Sequence, residues 1–192
     1  GKTTLLKHMI GLKAPVSGDV LYGGRSFWTA TDQEREQAKR QFGVLFQGGA
    51  LWSSMTLAEN VALPLRLYTS LTDAEVRDIT AYKLSLVGLA GFERRMPHHL
   101  SIGEKRRVCL AGVRACDPSI LGLDEPSSSL DPKGRRELMA LLREIPLTKL
   151  IATHDLEFVV ELCSRVVVLD GGAGVAGGPT VELPFDAGLL PP

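Results

Sequence analysis

Read from its first residue, the chain switches between two hydrophobic periods. Leu5, Leu6, Met9, Ile10 and Leu12 recur through Thr3 to Leu12 and break near Gly11, the spacing of a short helix with one face on a core. Gly18-Asp19-Val20-Leu21-Tyr22-Gly23-Gly24 predicts one short strand bounded by turn formers. Thr31 to Gln41 is densely charged and reads as a surface helix, and Gly43 to Phe46 reads as a brief buried strand that stops at Gln47-Gly48-Gly49. From Thr56 to Cys116 the helical period takes over, with start signals at Thr56 and at Thr72-Asp73-Ala74-Glu75, which fits a capping box. After Asp117-Pro118 short apolar runs return at Ile120–Leu123, Lys149–Thr153 and Arg165–Leu169, separated by helical stretches at Pro132–Glu144 and Asp155–Cys163. This alternation predicts an α/β fold: a mostly parallel sheet covered on both faces in three layers. Residues 57–116 form an inserted all-helical part between core segments 1–56 and 117–192. The Gly- and Pro-rich tail from Gly171 is expected to hold a short strand pair and loose ends.

Composition narrows the partners. The chain has 192 residues, with 22 Lys plus Arg against 22 Asp plus Glu. A net charge of zero removes non-specific nucleic-acid binding, which needs a basic surplus to neutralise phosphates. Apolar residues make up 44% of the sequence, enough for one ordinary core. The longest apolar stretches, such as Leu162–Leu169, are interrupted by Ser164 and Arg165 and fall short of the roughly 18–20 residues of a membrane helix. Cys109, Cys116 and Cys163 are odd in number with no CxxC pair, and no apolar signal segment opens the chain, so a reducing cytosol is expected. Cys109 and Cys116, seven apart, are expected on one buried helical face, Cys163 is expected to be buried too, and Lys105-Arg106-Arg107 is expected to form a solvated helix face.

Chemistry enters at the first three residues. Gly1-Lys2-Thr3 leads into a helix whose N-terminus offers free N–H groups and a partial positive charge to an anion. Lys2 can reach the β- and γ-phosphates of a nucleotide, the Thr3 hydroxyl can bind Mg²⁺, and Thr4 can add a contact. The same triplet also suits a lysine at an ordinary helix start. In the full pattern G-x-x-x-x-G-K-[ST], five positions and a strand are expected ahead of Gly1. At Ile120–Glu125 an apolar strand ends in two carboxylates, whose side chains alternate in direction: Asp124 toward the metal and Glu125 toward an attacking water. The bland alternative is a helix cap with an acidic neighbour before Pro126. His154 closes the 149–153 run and can touch the γ-phosphate and orient water, and Gln47 can bridge metal, water and a neighbouring surface. Ser101 and Gly103 open another apolar-periodic helix, a second anion-binding end that a head-to-tail dimer would explain.

In this order the motifs closely resemble those of the ATP-binding-cassette ATPases, motor subunits of membrane transporters. Gly1-Lys2-Thr3-Thr4 is similar to the end of the family's Walker A loop, Gln47 to its Q-loop glutamine, Leu100–Glu104 to its signature and Leu121–Glu125 to its Walker B. Ser129-Leu130-Asp131 resembles the D-loop and His154 the switch histidine. The resemblance implies ATP and Mg²⁺ as cofactors, Glu125 as general base, Asp124 with Thr3 and Gln47 at the metal, and Ser101, Gly103 and Asp131 at nucleotide. It implies a second ATPase subunit and a transmembrane permease as partners, no direct insertion into the membrane, and a peripheral position on the cytoplasmic face of the inner or plasma membrane. Ile102 and Glu104 depart from the usual leucine-serine-glycine-glycine-glutamine.

Cargo hints divide. Phe46–Trp52 through Glu59–Leu65 resembles ATPases of phospholipid transport of the mammalian-cell-entry type. Pro97–Ser101, Gly103–Arg107 and Leu150–Glu157 resemble cobalt, nickel or vitamin uptake ATPases of the energy-coupling-factor type. The phospholipid reading is preferred, because Gln47 and its following segment face the permease. A chromosome-associated relative needs a long coiled coil between its ATP motifs, whereas Lys2 and Asp124 stand 122 positions apart; a ribosome-associated one joins two cassettes; an inactive interaction module should have lost Lys2, Glu125 or His154. With the first half of the phosphate loop not represented, residues 1–192 alone are expected to bind ATP weakly; a titration returning micromolar affinity overturns this.

Overall fold

The computed structural model describes residues 1–49 and 51–182; the loose ends expected beyond 182 fall outside the described residues. The centre is a parallel sheet of β3 (Phe42–Leu45), β4 (Ile120–Asp124) and β5 (Thr148–Ala152), in that order, with Val44 opposite Gly122 and Gly122 opposite Leu150. The middle strand is buried from Leu121 to Asp124, as a continuous apolar run in a doubly covered sheet should be. Helix α1 (Lys2–Met9) covers one face, where Leu6 and Ile10 meet Gly122. On the other face Leu121 and Leu123 pack with Leu45, Leu110, Leu138 and Phe158, which come from β3, α5 (Ile102–Val113), α6 (Pro132–Glu144) and α7 (Leu156–Leu162). The three layers expected from the alternating periods are present.

Two glycines set the spacing. Gly11 ends α1 at φ +71°, and a side chain there would fall 2.4 Å from the buried Phe27 ring. Gly43 lets the last turn of α5 rest on β3, since a Cβ would lie 2.6 Å from the Val113 carbonyl oxygen.

Between β3 and β4 stand α3 (Leu57–Tyr68), α4 (Asp73–Leu86) and α5, each opened by a reciprocal capping box: Thr56 with Glu59, Thr72 with Glu75, Ser101 with Glu104. Their apolar faces share a second core that includes Leu57, Val61, Leu65, Leu84 and Val108. Asn60, buried in α3, accepts from the Trp52 N–H (2.7 Å) and donates to the carbonyls of Trp52, Met55 and Thr56, which pins the segment entering the helix. Buried Lys83 of α4 pairs with Asp117, in the turn ahead of β4. Helix α2 (Asp32–Lys39), capped by Thr31, has no buried residue, as its charge density predicts.

Four expectations need correction. The 18–24 stretch is not a lone strand: β1 (Leu21–Tyr22) turns at Gly23-Gly24 into β2 (Arg25–Ser26), a hairpin at positive-φ glycines. The 165–169 run does not join the parallel sheet; β6 (Arg165–Asp170) turns at Gly171-Gly172 and pairs antiparallel with β7 (Ala173–Pro179). Between β5 and β6 lies a cleft of about 550 Å³ lined by apolar residues such as Leu5, Met9, Ile151 and Val167, so the edges of these two strands do not meet. Cys116 is exposed rather than core, because α5 ends at Val113 and the seven-residue period stops with it. Cys163 is only half-buried, and Cys109 alone is core, where burial raises its thiol to about 11.

The fully buried Phe158 gives a direct check on the core. Phe158→Ala should lower unfolding free energy by about 3–5 kcal/mol, measured by urea denaturation. Val160→Ala, on the exposed side of the same helix, should stay within about 0.5 kcal/mol of the parent.

Candidate active site

Helix α1 begins at Lys2, and no side chain caps its first turn. Its N–H groups and the positive end of its dipole therefore face a cavity of about 320 Å³ lined by Gly1, Lys2, Thr3, Thr4, Gln47, Glu125 and His154. The Thr3 hydroxyl donates to Asp124 Oδ1 at 2.9 Å, which fastens the helix start to the carboxyl end of β4. Lys2 Nζ stands 3.5 Å from Glu125 Oε1.

Glu125 is the hinge of the site. Strand pairing ends at Asp124, and Glu125 takes φ +46°, a left-handed backbone rare for a residue with a side chain. Simple alternation along an extended strand is therefore not what aims the two carboxylates: the left-handed turn swings Glu125 into the cavity. The backbone is held there by its own N–H, which donates to the Ala152 carbonyl at 2.8 Å, and by the Ser128 N–H, which donates to the Glu125 carbonyl at 3.1 Å. Glu125 Oε2 lies 2.8 Å from His154 Nδ1 and accepts from the Thr153 hydroxyl at 3.4 Å. The carboxylate is largely buried while the imidazole is open to solvent, with side-chain exposures of 11% and 76%.

A further layer fixes His154. Asp155 caps α7 by accepting from the Phe158 N–H at 3.1 Å, accepts from the Ser127 hydroxyl at 2.9 Å, and pairs with Arg135 of α6. Burial alone would push the Asp155 carboxyl up, but the hydrogen bonds from Phe158 and Ser127 and the Arg135 charge outweigh it and hold the group below the usual value of 3.8.

The cavity thus gathers seven predicted residues and, through Thr3, Asp124. It does not gather Ser101, Gly103 or Asp131. Ser101 is exposed and engaged with Glu104 as the cap of α5, Gly103 lies in that first turn, and Asp131 caps α6 through the Gly134 N–H at 3.0 Å. Thr153, Ser127, Arg135 and Asp155 were not singled out in sequence for this site. The one cue was the Asp155 position at a helix start. The solvated-face expectation for Lys105-Arg106-Arg107 is overturned at Arg106, which is 5% exposed and points inward.

Thr3 and Asp124 suit Mg²⁺, which keeps much of its water and takes only one or two protein oxygens beside phosphate. No cluster of three or more His, Cys, Asp or Glu that could hold a metal occurs among the described residues, so an all-protein cage is not on offer. When bound, Mg²⁺ supplies charge to offset the phosphate oxygens; Thr3 and Asp124 would hold it.

A parallel sheet with a phosphate-binding helix start at its carboxyl end, facing a strand-end Asp-Glu pair, defines a P-loop nucleoside triphosphatase. Within that class, residues 1–128 match the ABC transporter family model, and the chain belongs to that family as its ATP-binding and ATP-hydrolysing component, working with ATP and Mg²⁺. The chain is 44% identical over 194 residues to an ABC transporter ATP-binding protein of Gloeobacter violaceus, covering 99% of this chain and 78% of that one. It is 37% identical over 196 residues to the energy-coupling factor transporter ATP-binding protein EcfA of Methanothermobacter thermautotrophicus, covering 99% and 62%. Among solved structures, the ATP-binding cassette MJ0796, a dimer in a post-hydrolysis state with ADP and phosphate, superposes with a TM-score of 0.82 at 28% identity, covering 94% of this chain and 81% of that one.

The Asp155 network has a pH signature. Its folded pKa is depressed, so its contribution is complete above about pH 4 and is lost as the pH falls through the lowered value. Asp155→Asn should lower Tm by about 2–4 °C at pH 7, and the gap to the parent should narrow in melts taken at successively lower pH through the depressed value.

Proposed function

We propose that two copies of this cassette pair head to tail around ATP and drive a membrane permease from its cytoplasmic face. The observation that carries this reading is the single cavity in which Lys2 at a helix N-terminus, Thr3 bound to Asp124, and Glu125 bound to His154 converge. In that cavity Lys2 turns from Glu125 to the β- and γ-phosphates. Oε2 of Glu125 is engaged by His154 and Thr153, which leaves Oε1 to accept a proton from the attacking water. Gln47, in the lining of the same cavity, lies five residues before Trp52, which Asn60 ties to α3. In this reading the link runs from Gln47 to the helical part over 57–116, and that part docks on the permease. Ser101, Gly103 and Asp131, outside the cavity of their own chain, are placed against the partner copy's nucleotide.

No helix among the described residues is long and apolar enough to cross a membrane. For cargo, the segment 46–65 supports phospholipid. The similarity to EcfA favours a second reading, uptake of the energy-coupling-factor type. Identifying the membrane protein that co-purifies with the ATPase decides between them.

Glu125→Gln keeps the shape of the side chain and removes the proton acceptor. In the assembled transporter it should reduce ATP turnover at least 100-fold, on the order of the loss of a general base, while ATP-bound dimers persist in size-exclusion chromatography. Turnover near the parent rate rejects Glu125 as base.

A further inference from the structure

We propose that Arg106 is a positioning residue for ATP hydrolysis, one guanidinium that fixes the backbone beside Gln47 and beside Glu125 at once. Arg106 sits in the second turn of α5, is 5% exposed, and forms no ion pair with an Asp or Glu among the described residues. Its hydrogen bonds go instead to two loops of the catalytic core. Nη1 donates to the Phe46 carbonyl at 3.2 Å; Nη2 donates to the Ser128 hydroxyl at 3.0 Å and to the Ser128 carbonyl at 3.4 Å.

Both loops are strategic. Phe46 immediately precedes Gln47, and its carbonyl also accepts the Gly49 N–H that closes the turn. Ser128 donates its N–H to the carbonyl of Glu125, the strained residue of the site, and precedes the left-handed Ser129 on the way to Asp131. A buried cation without a counter-ion is costly, and an apolar residue at this point would have filled the space more cheaply. A planar fork with donors on two nitrogens can hold two loops in one register; an ammonium, with a single donor atom, cannot match that geometry. None of the hydrogen bonds of the Arg106 side chain goes to a residue lining the cavity. It acts on Gln47 and Glu125 only through their neighbours, and a displacement of about 1 Å at a reacting group can cost on the order of 100-fold in rate.

Two measurements test this. In amide hydrogen exchange on the chain as it stands, Arg106→Met should speed exchange at Gly49, Ser128 and Leu130 by about tenfold, with Arg114 in the last turn of α5 unchanged. In the permease-bound ATPase the same variant should lower kcat by about tenfold or more and leave KM for ATP within about twofold, because Lys2 and the helix start are untouched. Arg106→Lys should fall between parent and Met in both. Parent-like exchange at the two loops, a parent-like kcat, or a rise in KM that matches the fall in kcat overturns the proposal; the last pattern belongs to a merely structural strut. If Arg106→Met loses protection throughout, Arg106→Lys alone decides: faster exchange at Ser128 with KM unchanged supports the role, and parent values reject it.

Discussion

The hydrogen bond between Thr3 and Asp124 joins residues 121 positions apart, and the catalytic geometry depends on it. It coexists with the packing of Leu6 of α1 and of Ile10, just past its end, onto Gly122 of β4, so the apolar face of the helix and the polar contact at its start enforce each other. The core sets how deep α1 lies, and the hydroxyl sets where its N-terminus stops along the strand. Lys2, one residue earlier, is thereby delivered to Glu125, one residue beyond Asp124. Loop-closure entropy rises only slowly with length, which lets a hairpin, the charged helix α2, the strand β3 and three further α-helices intervene without loosening that contact.

The cost of the arrangement is concentrated in the backbone after β4. Glu125 and Ser129 both occupy the left-handed region, at about 1–3 kcal/mol each. Such conformations survive where surrounding bonds over-determine them, and here several do. The Ala152 carbonyl holds the Glu125 N–H, Ser128 holds its carbonyl, and Arg106 holds Ser128 from outside the sheet. The result is a carboxylate that leaves the strand direction and enters the phosphate cavity, with His154 and Thr153 fixing one of its oxygens. The adjacent Asp155 ties the His154 turn to α6 through Arg135, so the two strand ends that face the cavity are braced from the helical layer behind them.

Much of this was legible because it is periodic or local. The α6 boundaries at Pro132 and Glu144, the helix start at Thr56, the capping box at Thr72 and the buried β4 run follow from residue spacing alone. The convergence of seven residues on one cavity was legible because they sit at strand ends and one helix start, places where ligands gather in a parallel sheet. Arg106 was not legible. Between Lys105 and Arg107 it reads as part of a solvated patch, and only the packing of α5 against Phe46 and Ser128 turns it inward. The pairing of β6 with β7 escaped notice for a similar reason: three consecutive valines, Val166 to Val168, suit a buried parallel strand, and the Gly171-Gly172 turn that folds them back carries no hydrophobic signal. Cys116 was misplaced by extending a helical period beyond the point where the helix stops.

The exposed start of α5 differs electrostatically from the start of α1, although both present free amides. At α1 no acidic residue occupies the first turn, and Lys2 adds a charge of the same sign as the helix dipole. At α5 the Glu104 carboxylate accepts from the Ser101 N–H at 2.8 Å and from the Ser101 hydroxyl at 2.8 Å, and these bonds hold its pKa below the usual carboxylate range. Glu104 therefore stays ionised at neutral pH, occupies the donors that an incoming phosphate would need, and cancels much of the local positive potential. Ile102, 53% exposed beside it, adds bulk where the usual signature has glycine. In the head-to-tail pair proposed above, a triphosphate at this second end would have to displace Glu104 from Ser101, so closure would compete with a capping box already formed. The two helix starts are thus unequal by construction: that of α1 is uncapped and opens on a cavity beside Lys2, and that of α5 is closed by its own carboxylate.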